Sequence, residues 1–123
     1  VNSDLALLVG RTVDAVTFVA DYSQLQFTLP AGVDRVNLYA WPDVMVSGVM
    51  RRFGDEGYRD AYCSFIGRAV TTVVEDEVSG LMIEFENDRI GVSLQTGRDF
   101  GWEIAQFGRS VWRPDTFPFA RSS

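Results

Sequence analysis

Apolar residues at every second position mark much of this chain. Leu25, Phe27 and Leu29 alternate with Gln24, Gln26 and Thr28, and Val36, Leu38 and Ala40 alternate with Arg35, Asn37 and Tyr39. Leu81, Ile83 and Phe85 repeat the spacing ahead of Glu86. A period of two puts successive side chains on opposite faces of a strand, so these runs predict sheets with one buried and one wet face. The same pattern predicts strands over 12–19, 24–29 and 35–41, then over 69–78, 81–86, 90–95 and 102–107. Ser79-Gly80, Asn87-Asp88 and Pro30-Ala31-Gly32 supply turn chemistry between them.

The pattern also repeats. Leu8-Val9-Gly10-Arg11-Thr12-Val13-Asp14-Ala15-Val16 aligns with Phe65-Ile66-Gly67-Arg68-Ala69-Val70-Thr71-Thr72-Val73, with Gly-Arg and two Val positions identical. A short helical pattern precedes each block: Ser3 is placed to cap a turn holding Leu5, Leu7 and Leu8, and Asp60 one holding Tyr62, Phe65 and Ile66. Gly10 and Gly67 then read as helix-ending glycines, since a residue without Cβ adopts the left-handed conformation without penalty. The expected fold is α+β and mostly β: two similar halves, each a short helix followed by an antiparallel β-meander, forming a pseudo-twofold sheet or small barrel-like domain. One domain spans 1–123, with the repeat over 3–46 and 60–107 and a tail over 108–123. Residues 47–58, with Gly48, Gly54 and Gly57, read as an exposed connection.

A length of 123 residues suits one domain. No apolar run has the length of a membrane span or a signal-peptide core, which points to a cytoplasmic protein without membrane contact. The charge is −6, from 17 carboxylates against 11 basic residues, all of them Arg. That balance disfavours nucleic acid and anionic membranes and favours a basic partner. The single Cys63 cannot form an internal disulfide. In its apolar setting it reads as a buried core thiol.

The chain has no histidine and no lysine. Ser-His-Asp, Cys-His, Ser-Lys and Schiff-base mechanisms are therefore excluded, as are zinc sites built on imidazole, and no metal or cofactor is expected. Carboxylates remain. Glu75 and Glu77 on one strand are expected to face Glu84 and Glu86 on the next, an arrangement that suits either a solvated hairpin face or a carboxylate-dependent hydrolase. Gly97-Arg98-Asp99-Phe100-Gly101 matches no phosphate-binding fingerprint and reads as a turn. Trp41 and Trp102 read as core. The tail carries Trp112, Phe117 and Phe119 among prolines; it either folds back or meets another chain, and Trp112, Arg113 and Phe117 are its candidate contact residues.

On the two Gly-Arg blocks, Leu25-Gln26-Phe27, Ile83-Glu84-Phe85-Glu86-Asn87-Asp88-Arg89-Ile90-Gly91-Val92 and Phe100-Gly101-Trp102-Glu103-Ile104, the chain resembles a family of small uncharacterised bacterial proteins. Members repeat a Gly-x-x-Val-x-x-Val strand, end in a Trp-Glu segment, and in some cases sit beside toxin genes as presumed immunity partners. The resemblance covers most of residues 5–107 and rests on turn and core positions. The Gly-x-x-Val opening is also similar to that of Sm-like small barrels, which bind RNA. The leading expectation is a non-enzymatic protein-binding domain, an immunity or inhibitor-like partner of a basic toxin. A carboxylate-dependent hydrolase and an RNA-binding small barrel are the rivals.

Overall fold

Each half of the chain builds most of one sheet and completes the other. A computed structural model describes residues 4–30, 32–76, 80–93 and 103–113. Among them a 3-10 helix, Asp4–Leu8, leads into strands β1 (Val13–Phe18), β2 (Ser23–Leu29), β3 (Gly32–Leu38), β4 (Asp43–Val46) and β5 (Val49–Arg51). Helix α1 (Tyr58–Cys63) then leads into β6 (Thr72–Asp76), β7 (Gly80–Phe85), β8 (Asp88–Val92), β9 (Ala105–Phe107) and β10 (Ser110–Trp112). One sheet has the order β1-β2-β3-β9-β10 and the other β6-β7-β8-β4-β5, with every neighbouring pair antiparallel. Each half thus contributes a three-stranded meander to its own sheet and a hairpin to its sibling's. The helices are exchanged as well, because α1 packs on β1 and the 3-10 helix on β6.

The two halves meet about a pseudo-twofold axis marked by the Gly-Arg blocks. The Gly10 N–H donates to the Val70 carbonyl at 2.8 Å and the Gly67 N–H to the Val13 carbonyl at 2.8 Å. Val70 N–H donates to the Arg11 carbonyl at 2.9 Å, and Val13 N–H to that of Arg68 at 3.0 Å. Thr12 bridges Ala69, its own counterpart in the repeat, so the axis passes between them. A self-complementary contact of this kind satisfies each backbone group with its symmetry-related partner, as an isologous dimer interface does. Gly10 (φ 84°) and Gly67 (φ 87°) both take the left-handed conformation that ends a helix and turns the chain into its strand.

The core lies between the sheets and under the helices. Leu5, Leu8, Leu25, Phe27, Val36, Leu38, Tyr62, Phe65, Ile83, Phe85, Ile90, Phe107 and Trp112 are essentially inaccessible. The alternating residues of β2 and β7 are all buried except Leu29, which is partly so, as their period requires.

Three readings of the pattern change. Residues 47–58 are not wholly a connection, because Val49–Arg51 forms β5, joined to β4 by a tight turn at Ser47-Gly48 with φ of 54° and 80°. Asp60 does not cap α1. Gly57, at φ 79°, occupies that position, and Asp60 lies in the first turn, where its charge favours the helix dipole instead. The chain beyond 107 is not simply a tail, since Ser110–Trp112 is an edge strand of the first sheet. Ser3 and the segment 97–101 lie outside the described residues.

Candidate functional site

Beside α1, five aromatic rings touch in a closed circuit. Phe18 ends β1, Trp41 precedes β4, Phe53 follows β5, and Tyr58 and Tyr62 lie one turn apart on the same face of α1. Phe18 stacks on Trp41 (ring centroids 6.2 Å apart) and Trp41 on Phe53 (4.4 Å, planes at 18°). Edge-on contacts run from Phe53 to Tyr58 at 5.9 Å, from Tyr58 to Tyr62 at 5.9 Å and from Tyr62 to Phe18 at 5.5 Å. Offset stacks and T-shaped contacts are the favourable arrangements of aromatic quadrupoles. Both phenols are anchored: Tyr58 donates to the Pro42 carbonyl at 2.5 Å, and Tyr62 shares a hydrogen bond with Ser23 at 2.7 Å. Burial leaves Tyr62 inaccessible and Tyr58 nearly so, yet Phe53 remains 51% exposed.

A cleft of about 320 Å³ opens beside Phe53, lined by Phe53, Gly54, Asp55, Gly57, Tyr58, Arg59 and Asp60. The Arg59 guanidinium lies over the Phe18 ring, 5.2 Å from its centroid. Asp55 accepts the Arg52 N–H at 2.7 Å, closing the turn that follows β5. Burial raises the Asp43 carboxyl above the ordinary range; Arg52 opposes the rise and repulsion from Asp55 adds to it. Burial also pushes both phenols up, with Asp43 reinforcing the effect at Tyr58. Cys63, at the end of α1, is half-buried rather than fully enclosed, and burial and then Asp60 push its thiol up. The phenols and the thiol therefore stay protonated near neutrality, and the cleft presents aromatic rings, two carboxylates, the Arg59 side chain and backbone without a ready nucleophile.

The carboxylates expected to share a hairpin face do not. In the β6–β7 register Glu75 stands opposite Leu81, on the inward side of the sheet with Val73 and Ile83, whereas Glu84 stands opposite Thr72 and next to Arg89 on the outward side. Glu86 lies in the β7–β8 turn at φ 60°, its N–H bound to the Thr71 hydroxyl at 2.9 Å. The physical reason is register: pairing Val73 with Ile83 keeps both apolar residues inward and forces Glu75 onto their face. Glu77 lies outside the described residues. Among the described residues no group of three or more metal-ligating side chains converges.

The tail residues are separated too. Trp112 is fully buried, so it belongs to the core and offers no surface to a partner. Arg113 forms a 2.9 Å ion pair with Glu103, both side chains about 40% exposed, a pair of little energetic weight. Phe117 and Phe119 lie outside the described residues. The aromatic circuit was not read from sequence, although the Tyr58/Tyr62 spacing and an isolated Phe53 among glycines are signals that point toward it. The chain matches no family model, no curated protein and no solved structure.

Proposed function

We propose that the protein is a non-enzymatic protein-binding domain that engages a basic protein through its aromatic end, in the manner of an immunity or inhibitor-like partner of a basic toxin. The observation that carries this reading is Phe53: a large ring, half exposed, packed against Trp41 and Tyr58 at a cleft lined by Asp55, Asp60 and Arg59. Pre-positioned aromatic residues are the usual anchors of protein contacts, because little side-chain entropy remains to be lost on binding. The net charge of −6 supports a basic partner by steering encounter, and the resemblance to presumed immunity proteins supports the same class. With Trp112 in the core, the contact surface moves from the C-terminal segment to residues 53–60.

The test is affinity capture of the partner followed by association kinetics with both proteins purified. The captured protein is expected to be basic, association to slow as salt rises, and Phe53→Ala to speed dissociation by about tenfold or more. An acidic partner, or kinetics indifferent to both salt and Phe53→Ala, overturns the reading.

A further inference from the structure

We propose that the cleft beside Phe53 receives one arginine side chain of the basic partner, its guanidinium stacked on the outward face of Phe53 and held by the carboxylates of Asp55 and Asp60. This rests on the protein-binding reading and specifies its chemistry.

Phe53 has one face on Trp41, at 4.4 Å between centroids, and Tyr58 against its side, so its opposite face is the one that gives the ring its exposure. No cationic side chain among the described residues stacks on that ring. The neighbouring ring shows what such a surface takes: Phe18, in the same circuit, already carries the guanidinium of Arg59 at 5.2 Å. Phe65 and Phe85 hold Arg68 in the same way, at 5.4 and 5.9 Å. Guanidinium over an aromatic face is thus the recurring polar contact of this protein, and Phe53 offers an unfilled example of it.

The rim completes the recognition. Three charged side chains line the cleft, Asp55, Asp60 and Arg59; the Arg59 guanidinium is engaged over Phe18, and the two carboxylates outnumber it. Asp55 uses one carboxylate oxygen on the Arg52 N–H and keeps the other; Asp60 stands exposed in the first turn of α1. A planar ion with a fork of donors matches a ring face plus carboxylates better than a compact ammonium does, which selects arginine over lysine. Size fits as well. About 320 Å³ is at the lower limit of small-molecule pockets, room for one long side chain rather than a cofactor. Gly54, at φ 97°, turns the loop around this space, and a Cβ there would meet nothing within 4 Å; at Gly57, φ 79°, a Cβ would meet the Arg51 side chain at 3.2 Å.

The experiment is an NMR titration of the intact protein with acetyl-Gly-Arg-Gly-amide, with the citrulline peptide of equal shape and no charge, and with the lysine peptide. The arginine peptide is expected to shift the amides of Gly54, Gly57 and Asp60, with lysine weaker and citrulline at least about tenfold weaker. Phe53→Ala is expected to weaken binding roughly three- to tenfold, Phe53→Tyr to restore it, and Asp60→Asn to reduce it by a similar factor. Equal shifts from citrulline, shifts mapping elsewhere, or undiminished binding by a folded Phe53→Ala variant overturn the inference. If the peptide fails while a whole partner still depends on Phe53, the arginine site falls and the protein-binding reading stands. Should the peptide bind in the cleft while no basic protein does, the site is supported and the broader reading falls.

Discussion

The two ends of this molecule share one backbone plan and differ in what fills it. Val16 faces Leu25 and Val73 faces Ile83, so the register fixes which residues correspond. Phe18 opposite Ser23 in one half corresponds to Glu75 opposite Leu81 in the other, and Tyr62 of α1 corresponds to Leu5 of the 3-10 helix. Around α1 the set is aromatic and hydrogen-bonded; around the 3-10 helix Leu5 and Glu75 stand where Tyr62 and Phe18 do, and Asp4 is tied to the β9–β10 hairpin through Ser110 at 3.0 Å and the Arg109 N–H at 2.8 Å. At the 3-10 helix end Leu5 and Leu8 are buried, while Leu7 and Val9 stay exposed as single side chains. At the aromatic end the circuit reaches the surface at Phe53. Dyad hydrogen bonds impose the common frame, and side-chain exchange within it decides which end carries the aromatic circuit.

The largest effect expected from breaking this plan comes from cutting it. A break between Gly54 and Asp55 separates two pieces, each lacking the hairpin that completes its own sheet. Each piece alone is expected to show no cooperative urea transition, and an equimolar mixture to regain one with both pieces co-eluting. A cooperative transition from either piece alone would show that the exchanged hairpins are dispensable. Next in size is Trp112→Ala in the β9–β10 hairpin, expected to cost about 3–5 kcal/mol as a fully buried indole is lost. The half-exposed ring at the aromatic end gives the contrast: Phe53→Ala is expected to cost less than about 1 kcal/mol in the same denaturation assay.

That contrast also explains what the sequence made legible. Period-two runs and the Gly-Arg repeat were readable because they are local and the repeat is nearly in register. Strands β4, β5 and β10 were missed because three or four residues carry too little alternation; β4 is defined by pairing with the distant β8, and β5 and β10 by short hairpins with β4 and β9. The carboxylate face failed on register: Glu75 and Glu84 are both strand residues, and only the Val73–Ile83 pairing places them on opposite sides. The aromatic circuit joins residues 18, 41, 53, 58 and 62 from separate elements, and composition cannot bring them together.

A smaller effect tests the polar member of the aromatic end. Tyr62→Phe removes the 2.7 Å bond to Ser23 and strands a fully buried hydroxyl, an expected loss of about 1–2 kcal/mol. Ser23→Ala should lose a similar amount, and the double variant less than the sum, because the second change removes the group that the first left unpaired. Additive losses would mean that the bond contributes nothing and that Tyr62 acts through its ring alone.

The smallest effects separate two carboxylates that burial and pairing drive in opposite directions. Asp88 accepts a 2.6 Å bond from Arg68 and the Ser47 N–H at 2.9 Å, and these hold its carboxyl below the ordinary range. A depressed folded value means that the unfolded chain binds the proton more readily. The stabilisation from Asp88 is therefore complete above about pH 4, the ordinary carboxylate value, and is lost as pH falls through the lower folded value. Asp43 has the reverse sign: burial raises it, so its charged form is a penalty at neutral pH, relieved as pH falls through its folded value toward the ordinary one. Asp88→Asn is accordingly expected to lower stability at pH 7 by up to about 1 kcal/mol and to flatten the acid limb of the stability curve. Asp43→Asn is expected to raise stability at pH 7, with the gain shrinking as the medium becomes acidic. Urea midpoints from pH 2 to 8 for both variants, about the full range over which carboxylates titrate, check the pair. If Asp43→Asn is destabilising at pH 7, its carboxylate is held by Arg52 more strongly than burial disfavours it, and the aromatic end of the molecule carries a structural ion pair rather than a strained charge.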